Sequence, residues 1–137
     1  MPKVKINNTQ GLVQASGGGI ALFGATETVA GHASAASAQI AETSSLVFAT
    51  SSAGSQYIGL PATTNLETGH TIVIVHSSGS DNLAIAPDPV THNINGVNGS
   101  GHAEIVLTAK TAVTCIWSGA TDPGWIVLVG DAATVPA

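Results

Sequence analysis

At 137 residues the chain has the length of one ordinary domain, with room for a core but not for two enzyme-sized domains. Only 8% of residues are charged, Lys3, Lys5 and Lys110 are the only cations and Arg is absent, so a row of nucleic-acid phosphates cannot be neutralised and no direct nucleic-acid partner is expected. With 44% hydrophobic residues and a net charge of −5, much of the surface must consist of Ser, Thr, Asn, Gly and small apolar groups, which suits burial against other subunits.

The first segment, "MPKVKINNTQ", lacks the apolar h-region of a secretory signal, and no apolar run approaches the length of a membrane span. Synthesis in a cytosol without a membrane anchor is therefore expected. Residues 1–43 are rich in Ala, Ser, Gly and Thr, with "SGGGIALFGA" and "GHASAASAQIAE" as the most biased pieces. Scattered large residues such as Val4, Ile6, Leu12, Ile20, Phe23 and Val29 allow two or three short strands but not a self-sufficient core, and "ASAASAQIA" permits a helical turn. This part is read as an extended N-terminal arm that lies on a neighbour.

Residues 44–137 have a different texture. "SLVFA", "QYIGL", "HTIVIVHS", "NLAIAP", "AEIVLTA", "AVTCIWS" and "GWIVLVG" are short runs of β-branched and aromatic residues, punctuated by Gly, Pro, Asn, Asp and Ser. Their spacing predicts an all-β domain, an antiparallel β-sandwich or jelly roll of about seven to eight strands. Within "HTIVIVHS", Ile72, Ile74 and His76 alternate with Thr71, Val73 and Val75, so both faces are partly apolar and need cover from a second layer and from an arm or subunit.

Five histidines invite a metal or acid–base reading. His70 and His76 share a strand face, but six residues at about 3.3 Å each separate them by roughly 20 Å, too far to share an ion. His92 and His102 flank the turn in "HNINGVNGSGHAEIVL" and approach one another if their strands pair, with Asp88 and Glu104 as the nearest carboxylates. Identical histidines converging on an oligomer axis are a second route to a shared site, which the sequence leaves open. Ser100 lies between glycines, yet it is outside the G-x-S-x-G pattern and leads into a strand rather than a helix. Asp81 and Asp122 read as turn-stabilising side chains, with a calcium site at Asp81 or Asp88 as the alternative. The lone Cys115 sits in an apolar run and reads as a buried, inert thiol. Trp117 and Trp125 read as core anchors, with a ligand platform as the alternative. No catalytic residue, cofactor or metal is assigned, and the chain is not read as an enzyme.

The order "YIGLPATTNLETGHTIVIVH", "HNINGVNGSGHAEIVLTAKTAVTCIWSG" and "GWIVLVG" resembles a recurrent module of tailed-bacteriophage virion proteins. The resemblance covers about residues 45–130 and rests on Leu60-Pro61, Gly69, Ile94-Asn95-Gly96, Trp117 and Gly124-Trp125, positions that serve folding in that family. It implies a β-sandwich or jelly roll, commonly trimeric, on a phage particle. The expected function is that of a capsid decoration (cement) protein, a homotrimer bound to the major capsid protein on the outside of a head. The alternative is a tail-fibre or baseplate component with a receptor- or glycan-binding β-domain.

Overall fold

A computed structural model describes residues 3–7, 11–16, 25–87, 92–97, 105–129 and 133–134. Eleven strands lie among the described residues: β1 (Lys3–Asn7), β2 (Gly11–Ser16), β3 (Ala25–Ala30), β4 (Ser44–Thr50), β5 (Gln56–Gly59), β6 (Thr71–Ser78), β7 (Leu83–Ala86), β8 (Ile105–Leu107), β9 (Ala112–Trp117), β10 (Trp125–Val129) and β11 (Ala133–Thr134). One 3-10 turn, Ala35–Ala38, falls inside the Ala-rich segment. All seven runs predicted from residue 45 onward contain a strand. β1 and β2 pair with one another, a five-stranded sheet has the order β10-β9-β6-β4-β3, and a four-stranded sheet has the order β11-β8-β7-β5.

Period-two alternation builds the core. Ile72, Ile74 and His76 of β6 are buried and Thr71 and Ser77 are exposed, as expected for a strand with one face against a second layer. Antiparallel register sets Ile72 against Cys115, Ile74 against Val113, and Cys115 in turn against Val127. The four-stranded sheet supplies Ile58, Leu83, Ile85, Ile105 and Leu107, which join these residues in one apolar cluster shared by both sheets. Each fully buried Ile or Leu in it contributes on the order of 1.5–3 kcal/mol of transfer free energy.

The expectation of purely antiparallel pairing is corrected: both larger sheets are mixed. β3 with β4, β4 with β6, and β5 with β7 are parallel. A parallel pair needs a long crossover; between β3 and β4 it carries the 3-10 turn Ala35–Ala38, and in the other two pairs it is itself a strand of the other sheet. The chain passes from β4 through β5 to β6, and from β5 through β6 to β7, changing sheet each time. Side-chain alternation has period two in either pairing sense, so the sequence pattern does not distinguish them.

Residues 25–43 are built into these sheets. β3 lies at the edge of the five-stranded sheet, and Val29, Ala38 and Ile40 belong to the buried cluster. The 3-10 turn rests on β5, where the Ile40 amide donates to the Gly59 carbonyl at 2.9 Å. A side chain at position 59 would meet the Ala35 carbonyl oxygen at 2.6 Å, so only glycine permits this approach.

Candidate functional site

Among the described residues, the predicted chemistry-bearing side chains do not gather in one place. Among the described residues no three His, Cys, Asp or Glu side chains are grouped to hold a metal ion. His102, Asp88, Ser100 and Glu104 lie outside the described residues, as does the His92–His102 encounter. His92 lies with its ring centroid 5.1 Å from that of Trp117, and its Nδ1 is 3.4 Å from Thr63 Oγ1. Cys115 is buried, and desolvation pushes its thiol up to about 12. Trp117 is 5% exposed and Trp125 fully buried, their rings 5.5 Å apart, so both act as core anchors and neither presents a platform to a ligand.

The "HNING" segment is a turn, as its composition indicates, but its role is tertiary. Asn95 and Gly96 have φ of 51° and 79°, and Ile94 and Val97 exchange both backbone hydrogen bonds across them. Asn-Gly favours such a two-residue turn because both positions need positive φ. The Asn95 side chain then reaches β10: its Nδ2 donates to the Val127 carbonyl at 3.3 Å, and its Oδ1 accepts from the Val127 amide at 2.8 Å. The Asn95 amide also donates to the Trp125 carbonyl. The Asn95 side chain thereby occupies the outward amide and carbonyl of Val127 on an apolar edge strand, groups that would otherwise be open to another chain.

His76 has a partner that the sequence did not suggest. Its Nε2 is 3.0 Å from Ser51 Oγ, and the Ser51 hydroxyl donates to the Asp81 carbonyl, also at 3.0 Å. With the serine O–H donating to that carbonyl, Ser51 Oγ accepts from His76 Nε2–H, which selects the Nε2 tautomer. The serine proton points away from the imidazole, and Nδ1 has no hydrogen-bond partner. This geometry is that of a structural tie between the loops after β4 and β6, not of a nucleophile with its base.

Two surfaces remain. The outer face of the five-stranded sheet carries, in register across all five strands, Thr26, Leu46, Val73, Thr114 and Leu128. The next row is Thr28, Phe48, Val75 and Ala112, and Thr71, Ile116 and Ile126 lie on the same face. No ionisable side chain occurs among these positions. Phe48 is 36% and Leu128 58% exposed. Five strands at about 4.8 Å and five residues at about 3.3 Å give a face of roughly 400 Å² in projection. Four of these twelve positions are Thr and the rest are apolar, and patches of that size are often functional surfaces.

The other surface is a cavity of about 410 Å³ on the outer face of the four-stranded sheet. Tyr57, Ala84 and Val106, paired across β5, β7 and β8, form its floor. Gly54, Ser55 and Gln56 form one wall, Asp81 and Asn82 the other. Tyr57 stands beside the small Ala84, so the ring borders an open notch. Sequence reading missed this site because its residues come from three strands and two turns, each unremarkable alone.

In comparisons with protein families and with curated proteins, the chain matches none.

Proposed function

We propose that the chain is a virion structural protein, a capsid decoration protein that binds the outside of a phage head as a homotrimer and stabilises the shell. The observation that carries this reading is the uncharged outer face of the five-stranded sheet. Left in water, it exposes Phe48 and Leu128 beside a continuous field of Val, Ile, Leu and Thr; turned toward neighbouring copies, it buries that area with no charge to desolvate. The phage-module resemblance of residues 45–130 supports the same reading, as do two mixed β-sheets that share one buried cluster. The mechanism is mechanical: many modest contacts, repeated over the shell and linked within each trimer, add by avidity. The N-terminal arm, residues 1–43 as delimited by composition, supplies attachment to the major capsid protein, and within it β1 and β2 form a separate two-stranded sheet.

The test is light scattering on the purified full chain together with immunogold labelling of intact particles. A mass three times that of the chain, and label spread over the head, are expected. Leu128→Glu, at an exposed position, is expected to dissociate the trimer while preserving the far-UV circular dichroism spectrum of the chain. A monomeric wild type, or label confined to the tail, would overturn the proposal.

A further inference from the structure

We propose that the cavity beside Tyr57 is a binding site for an uncharged pyranose sugar. Its floor is apolar and carries one aromatic ring, Tyr57, flanked by Ala84 and Val106. Its rim is polar, with Asp81 and Asn82 among its lining residues. Neither of these two side chains is engaged by another described residue. A pyranose has the matching division: a patch of C–H bonds that packs on an aromatic face, and hydroxyls at the ring edge that donate to a carboxylate and exchange hydrogen bonds with an amide. The lining contains no Lys, Arg or His, and the Asp81 charge opposes a phosphate or a carboxylate, so nucleotides and acidic sugars are disfavoured. The volume lies within the range of small-ligand sites, about 300–1,000 Å³.

Both walls are fixed before any ligand arrives. On one side Gln56 Oε1 accepts from the Ser52 amide at 2.8 Å and the Ala53 amide at 3.3 Å, which pins the turn ahead of β5. On the other side the His76–Ser51 tie ends on the Asp81 carbonyl. Gly79 closes against Ser51 so tightly that a Cβ there would collide with Ser51 Oγ. The buried Ser–His pair is thus a positioning device for the Asp81–Asn82 wall, and pre-formed walls lower the ordering cost of binding. The inference does not rest on the virion reading, and its failure would leave that reading standing.

The test is an amide-resolved NMR titration of the full chain with glucose, galactose, mannose and N-acetylglucosamine, and separately with glucuronate, methylammonium and calcium chloride. At least one neutral sugar is expected to shift the amides of Gly54–Tyr57 and Asp81–Ala84 saturably. Glucuronate is expected to leave them unmoved. Asn82→Ala, at an exposed position, should keep the thermal midpoint and weaken binding about tenfold, the loss of one well-placed hydrogen bond. Tyr57→Ala should abolish binding. The proposal is overturned if no neutral sugar moves these amides, if Asn82→Ala binds as well as wild type, or if methylammonium or calcium is the one probe that binds there.

Discussion

At the residue scale, two buried groups carry the sharpest consequences. Ser51→Ala leaves the His76 Nε2–H and the Asp81 carbonyl without their shared partner, and a buried polar group stripped of its partner costs about 1–3 kcal/mol. Urea denaturation should show that loss as a lower midpoint with an unchanged slope. Ser52→Ala, at an exposed position where the lost hydroxyl accepts a 3.3 Å contact from Gln56 Nε2 and the backbone bond to Gln56 Oε1 is kept, should fall within about 0.5 kcal/mol of wild type. Cys115 makes a pH prediction. Its thiol rises from 9.0 to about 12 on folding, so the unfolded chain releases that proton first as pH climbs. The stabilisation is therefore complete below pH 9.0 and is lost between 9.0 and about 12, at about 1.4 kcal/mol per pH unit. Denaturation midpoints at alkaline pH should fall less steeply for Cys115→Ala than for wild type. Burial of Cys115 was legible from its neighbours, since Val113 and Trp117 occupy the same face; the Ser51–His76 contact was not, because its partners lie 25 residues apart and neither spacing nor composition links them.

At the element scale, the Asn95–Gly96 turn separates local conformation from tertiary contact. Composition alone announced a turn, and positive φ at both positions is what Asn-Gly provides. That the Asn95 side chain would dock on Val127, 32 residues away, was beyond local reasoning. Asn95→Gly retains a residue at ease with φ of 51° but deletes both side-chain bonds to β10. Hydrogen exchange at the Val127 amide should accelerate by about tenfold or more, the equivalent of losing one net hydrogen bond or two. Exchange at the amides of Ile94 and Val97, which bond to each other across the turn, should change less. The same scale explains the parallel pairs: strand identity follows from alternation and punctuation, whereas pairing sense depends on how the chain alternates between sheets, which no single strand encodes.

At the scale of the whole molecule, the texture change near Ser44 and the organisation of the sheets do not coincide. Low complexity before that point reflects how few large side chains are present, yet Val29, Ala38 and Ile40 are among the buried cluster, and β3 covers the edge of β4 through a parallel ladder from Ala25 to Ala30. The Glu27 carboxylate also accepts from the Ser44 hydroxyl at 2.8 Å and the Ala41 amide at 3.0 Å, tying β3 to the entry of β4. Two deletions should therefore behave differently. Removing residues 1–24 takes away β1 and β2, which pair with one another and belong to neither larger sheet, and the far-UV spectrum and denaturant midpoint of the remainder should be close to those of the full chain. Removing residues 1–43 uncovers the β4 edge and vacates the sites of Val29 and Ile40, each worth on the order of 1.5–3 kcal/mol. A loss of that size approaches the whole stability of a small domain, about 5–15 kcal/mol, so this shorter chain should aggregate or unfold near room temperature. A shorter chain that melts with the cooperativity and midpoint of the full one would mean that β3 and the Ala35–Ala38 turn contribute no net stability to the sheets they join.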